Sequence, residues 1–167
     1  MNKTAKIVLS AGVLIVVFGT LLFYAKPDGQ NPVGVSGKQE QNILSADTLA
    51  YDFGTISMKN GIVKTVFKIR NTEASEIALN KIYTSCMCTE ATLNIAGASE
   101  GPFGMLGHGF SRTFERTLQP GEEAELEVAF DPNAHGPAGV GRIERIVTIE
   151  GEGRELLIVA IAATVTP

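Results

Sequence analysis

The only two cysteines of this chain stand one residue apart, in Thr84-Ser85-Cys86-Met87-Cys88-Thr89. In an extended strand, residues i and i+2 face the same way, so both sulfurs would present to one side. Their Cα atoms would then be about 6–7 Å apart, the upper edge of disulfide geometry, and closing that bond needs local bending. Two thiolates on one face also chelate soft metals, and copper and zinc both accept sulfur ligands. Reversible thiol exchange is a third chemistry open to such a pair. The alternative to all three is structural, because a free cysteine packs as a small hydrophobe.

Further soft donors are few: Met87 between the thiols, Met105 and His108 in a glycine-rich stretch, and His135 in Asp131-Pro132-Asn133-Ala134-His135-Gly136. Strand alternation puts Met87 opposite the cysteines, where a methionine more often packs than binds metal. His135 sits in a turn and is read as a backbone cap. His108 lies between Gly107 and Gly109, which would let it reach, so the expected metal set is Cys86, Cys88 and His108. Enzyme signatures are missing: there is no G-x-S-x-G elbow, phosphate loop or dinucleotide loop. The chain is therefore expected not to be an enzyme, with thiol oxidoreductase as the one exception. Glu122, Glu123, Glu125 and Glu127 are interleaved with apolar residues and read as a solvated strand face, not a calcium site. A net charge of −4 with scattered basic residues excludes nucleic acid as a partner.

The elements that must hold the pair are strands. Alternating segments run over Leu49–Ile56, Gly61–Arg70, Glu76–Tyr83, Ala91–Ile95, Glu123–Phe130, Arg142–Ile149 and Arg154–Val165. The last is apolar on both faces and should be central. Gly151-Glu152-Gly153 joins the final two as a hairpin. With no helical period between them, these segments predict an all-β antiparallel sandwich of about seven strands. The stretch Ala96–Arg112 reads as a long loop that could fold over the cysteines. Its apolar residues Phe103, Met105, Leu106 and Phe110, together with Met87, form the expected partner-binding surface.

The N-terminus sets the expected location. Residues 7–25 are an uncharged apolar run, long enough to nearly span a hydrocarbon core of roughly 30 Å. Lys3 and Lys6 precede it, which orients the N-terminus to the cytoplasm and exports the remainder. The expected organisation is a cytoplasmic stub at 1–6, a transmembrane signal anchor at 7–25, a flexible linker at 26–44 and the sandwich at 45–167.

Several motifs recur together in this order: Tyr51-Asp-Phe-Gly-Thr-Ile56, Phe67-Lys-Ile-Arg-Asn-Thr72, Ser85-Cys-Met-Cys-Thr89, Leu118-Gln-Pro-Gly-Glu122 and Val128-Ala-Phe-Asp-Pro132. In this the chain resembles the bacterial family known as domain of unknown function 1573, over roughly Ser45–Val165. The resemblance implies an immunoglobulin-like sandwich, similar to major sperm protein and Hydin-type domains, and an envelope location, but no activity. Two features depart from the family: Met87 stands where glycine is common, and Ala96–Arg112 is longer than usual. The reading that results is a membrane-anchored, extracytoplasmic binding or assembly module of the cell envelope with a protein partner and no cofactor. Soft-metal binding is the alternative and thiol redox chemistry the third reading.

Overall fold

Alternation of buried and exposed side chains dominates the observed strands. The computed structural model describes residues 43–108 and 114–167, and these lie within one compact unit, Gln39–Pro167. Eleven strands are present among the described residues: β1 Leu44–Ala46, β2 Ala50–Ser57, β3 Val63–Asn71, β4 Ile77–Leu79, β5 Lys81–Thr84, β6 Thr89–Ile95, β7 Ala98–Phe103, β8 Arg116–Leu118, β9 Glu123–Phe130, β10 Gly141–Gly151 and β11 Arg154–Thr166. They form a five-stranded sheet, β1-β3-β9-β6-β7, a four-stranded sheet, β2-β11-β10-β5, and a small β4-β8 pair. One hydrophobic core joins the two large sheets, with Phe67, Leu93 and Leu126 from the first and Val147, Leu157 and Ile161 from the second. Burying an aliphatic or phenyl side chain of this kind contributes about 1.5–3 kcal/mol.

The expected all-β class holds, and the reasons are local. In β9, Ala124, Leu126, Val128 and Phe130 are buried while Glu123 and Glu125 are exposed, so one face meets the core and the other meets water. β11 lies between β2 and β10, and its consecutive residues Leu156 and Leu157 are both buried, as a covered central strand requires. The turn after β3 is closed by Asn71, which is fully buried. Its amide donates to Ser75 O and Leu118 O, each at 2.9 Å, and its Oδ1 accepts from Glu73 N.

Several expectations are corrected. The sheet is not wholly antiparallel, because β2 pairs with β11 in parallel. Strands exceed the expected seven because Glu76–Tyr83 splits at Asn80: β4 pairs with β8, whereas β5 joins β10 in the large sheet. Ala96–Arg112 is not a structureless loop, since Ala98–Phe103 forms β7 against β6. Leu44, placed by its sequence at the end of the linker, is completely buried in β1. The expected anchor at 7–25 and most of the expected linker at 26–44 lie outside the described residues. Among those described, no helix is long and apolar enough to cross a membrane.

Candidate metal site

Two connections between the large sheets meet at one end of the sandwich. The first, Ser85–Cys88, carries the chain from β5 in the four-stranded sheet to β6 in the five-stranded one. The second, Asp131–Val140, carries it from β9 back to β10. Asp131 N donates to Cys88 O at 2.9 Å and so ties the two crossings together.

Three interactions shape the cysteine turn. Thr89 N donates to Cys86 O at 3.1 Å, closing a tight turn over Cys86–Thr89. The buried Thr84 hydroxyl lies 2.9 Å from Cys86 O and 3.0 Å from Thr89 O, anchoring both ends of that turn. Ser85 then extends the β5–β10 ladder: its N donates to Ile146 O and its Oγ accepts from Ile146 N, both at 3.0 Å.

The cysteines are therefore in a turn and not on a flat strand. Both sulfurs are buried, whereas Met87 at the tip is 56% exposed. The turn breaks the strand alternation that favours a core methionine, and so leaves Met87 exposed. The same turn lets the two sulfurs approach more closely than i and i+2 on a strand. Cys88 N donates to Cys86 Sγ at 3.4 Å.

The opposing connection supplies the third donor. Cys86 Sγ and His135 Nε2 are 3.1 Å apart. The ligand atoms of Cys86, Cys88 and His135 all lie within 4.8 Å of one another. His135 is held by the turn that precedes it: Asn133 N donates to Asp131 Oδ1 at 2.8 Å, and Asn133 Nδ2 donates to Met58 O at 2.7 Å. On the far side, Arg145 Nε donates to Cys88 Sγ at 3.2 Å, and its Nη1 donates to Glu144 O.

These contacts make the two thiols unequal. Burial works to raise the Cys86 thiol. Hydrogen bonds from the Cys88 side chain and backbone, the contact with His135 and the charge of Arg145 outweigh it and bring Cys86 down to about 7. Burial pushes the Cys88 thiol up, and the neighbouring Cys86 sulfur adds to that against the pull of Arg145 and Thr89. The arrangement suits a Cys86 thiolate that accepts a hydrogen bond from the Cys88 thiol.

The sequence-derived site residues separate accordingly. Cys86 and Cys88 come together as expected. His108 is exposed and is not part of the group; His135 takes the place expected for it. Phe103 is corrected from partner surface to core, at 1% exposure and with its ring centroid 4.8 Å from that of Phe114. Met105 is half-buried and bridges Thr84, Leu106 is exposed, and Phe110 lies outside the described residues. His135, named from the sequence as a soft donor but read as a turn cap, joins the cysteines only through the pairing of β6 with β9, which sets Thr89 opposite Phe130. Arg145 did leave a signal. It alternates with Ile143, Val147 and Ile149, so a charge stands on the core-facing side of β10 and needs a partner.

Residues 44–112 match the family described as Protein of unknown function (DUF1573). The matched segment includes the first three of the ordered motifs, the cysteine turn among them, and over those residues the resemblance is borne out; the motifs at Leu118–Glu122 and Val128–Pro132 lie beyond it. No curated protein matches the sequence. Among solved structures, a protein of unknown function from Porphyromonas gingivalis W83 is similar at 18% identity and a TM-score of 0.51. That match covers 73% of this chain but 46% of the other, so the chain spans less than half of that protein's length. The PapD-like domain 7 of human CEP192 is similar at 9% identity and a TM-score of 0.42, covering 84% of this chain and 97% of that domain. The periplasmic chaperone SfaE is similar at 7% identity and a TM-score of 0.40, covering 74% of this chain and 58% of the chaperone. The likeness to the Porphyromonas gingivalis protein speaks to the fold alone.

Proposed function

We propose that this chain is an exported, membrane-tethered immunoglobulin-like binding module whose ligand is a soft metal ion, copper or zinc, held by Cys86, Cys88 and His135. The observation that carries the reading is the convergence of two sulfurs and an imidazole nitrogen within 4.8 Å, from two separate inter-sheet connections. Metal–sulfur bonds of about 2.3 Å and metal–nitrogen bonds of about 2.1 Å would satisfy that group after small side-chain adjustments. The metal reading thus moves ahead of a purely protein-binding role, because Phe103 is withdrawn from the expected partner surface. Met87, Leu106 and Ile146 remain exposed, and they are the apolar residues a protein partner would meet beside the metal.

The test is metal analysis of the full chain purified in detergent under reducing conditions. Stoichiometric copper or zinc, lost in the Cys86→Ser/Cys88→Ser variant and weakened at least tenfold in His135→Ala, supports the reading. A metal-free protein that takes up neither ion and is equally stable without its thiols sinks it.

A second reading, thiol–disulfide exchange, is favoured by the inequality of the pair. In that reaction the Cys86 thiolate attacks a substrate disulfide, releases one substrate thiolate and forms a mixed disulfide. Cys88 then loses its proton and attacks Cys86, leaving a Cys86–Cys88 disulfide and a fully reduced substrate. Reduction of a disulfide substrate by the metal-free chain, abolished in Cys86→Ser, would support this instead.

A further inference from the structure

We propose that Arg145 sets the metal preference of the Cys86–Cys88–His135 group, favouring Cu(I) over Zn(II). The inference rests on the metal-binding reading above and adds a residue that is not itself a ligand.

The first argument is charge. With both cysteines ionised and His135 neutral, the donor set carries two negative charges. Arg145 places one positive charge directly on it, with Nε 3.2 Å from Cys88 Sγ. Among the described residues, no Asp or Glu joins the Cys86–Cys88–His135 group, and Arg145 is the charged side chain hydrogen-bonded to its Cys88 sulfur. A monovalent soft cation therefore closes the site at neutrality. A divalent ion would leave a net positive charge against the two buried cysteines, a cost that the exposure of His135 on the solvent side reduces but does not remove.

The second argument is donor number. Among the described residues the group contains three ligands and no fourth His, Cys, Asp or Glu. Zn(II) in structural sites takes four, in a tetrahedron. Cu(I) is selected by thiolates and accepts thiolate-rich shells of lower coordination.

The third argument is placement. Arg145 is not a loop residue that swings in. It sits within β10, register-paired with Ile161 of β11, and its Nη1 is fixed to Glu144 O at 2.7 Å. Its hydrogen bond to sulfur draws on a lone pair the metal does not use. Such outer contacts orient ligands and tune the ion they hold. A guanidinium on the core-facing side of a strand, with a thiol as its partner, is better explained by a charge it must balance than by packing.

The experiment measures Cu(I) and Zn(II) affinities on the detergent-solubilised full chain. Anaerobic competition against chromogenic chelators is run on wild type, Arg145→Gln and Arg145→Lys, with metal-free thermal midpoints confirming that each variant folds. Removing the positive charge strengthens binding of either ion, but a divalent ion gains more. For a charge a few ångströms away at an intermediate dielectric, the Cu(I)/Zn(II) affinity ratio should fall in Arg145→Gln on the order of tenfold to a hundredfold. Arg145→Lys, which keeps the charge, should restore most of the ratio. A ratio unchanged within twofold in Arg145→Gln, or displaced equally in Arg145→Lys, overturns the proposal while leaving metal binding intact. If wild type binds neither ion, the metal-binding reading falls and this inference falls with it.

Discussion

Thr84 shows how one buried hydroxyl sets the geometry of a ligand pair. It is 2% exposed, and its Oγ1 reaches the carbonyls of both Cys86 and Thr89, the two ends of the cysteine turn. The hydroxyl has one proton to share between the two carbonyls, and Cys86 O also accepts from Thr89 N, so its removal takes one buried donor from the pair and frees the turn to relax toward an ordinary strand exit. Thr84→Val keeps the volume and removes the hydroxyl. It should cost about 1–3 kcal/mol of stability, the range for a buried polar group left unsatisfied. It should also weaken metal binding, although Thr84 is not a ligand. Urea denaturation of the metal-free chain measures the first effect and chelator competition the second. A loss of stability with unchanged metal affinity would mean that the turn holds its shape without Thr84.

Elements succeed or fail here by how they fit their neighbours. The bounds read for Glu123–Phe130 coincide with β9 because its alternation is strict and both its faces have one environment. The β10–β11 hairpin was legible for a similar reason, its Gly-Glu-Gly turn being explicit. By contrast, β7 has no apolar alternation. Its Gly101 and Pro102 signal a loop, and only the pairing with β6 makes Ala98–Phe103 a strand. Gly151, at the end of β10, carries a constraint of this neighbour-imposed kind. A Cβ there would lie 1.8 Å from Ala78 O of β4 and 2.7 Å from Leu156 Cδ1. Gly151→Ala must push β4 and its partner β8 away, so a loss of roughly 3 kcal/mol or more, or failure to fold, is expected. Retention of the wild-type thermal midpoint would refute the close approach. At the β5–β10 edge, Lys81 Nζ and Tyr83 Oη both reach the Glu150 carboxylate, at 2.9 and 2.8 Å. The hydrogen bond from Lys81 is the main force holding Glu150 below its ordinary 4.5. A depressed carboxylate stabilises the fold above its unfolded pKa, and that contribution disappears as pH falls through the folded value. Glu150→Gln should therefore cost roughly 0.5–1 kcal/mol near neutrality. The gap to wild type should close as the pH is lowered below about 4, measured by chemical denaturation across that range.

At the scale of the whole molecule, the site was legible in half. The cysteine pair announces itself by spacing. Arg145 announces only that a charge on the core-facing side of β10 needs a partner, and the β5–β10 pairing supplies it; His135 does not announce itself, because it becomes a neighbour only after the chain has crossed between sheets, a long-range outcome. Leu44 is the first buried residue of the described core, and every other core side chain follows it. A chain beginning at Ile43 therefore carries the described core in full, and Ile43 N keeps its bond to Leu156 O. Such a chain should fold with a thermal midpoint within a few degrees of the full-length protein. The apolar run at residues 7–25 should be what holds the full chain to membranes. Fractionation of cells expressing both forms tests this directly. The full chain should sediment with membranes and resist extraction by carbonate, whereas the form starting at Ile43 should stay in the supernatant. If the shortened form also sediments while folded, the β domain itself contacts the membrane. The exposed apolar residues beside the cysteine turn, Met87, Leu106 and Ile146, would then be the first to replace with charges.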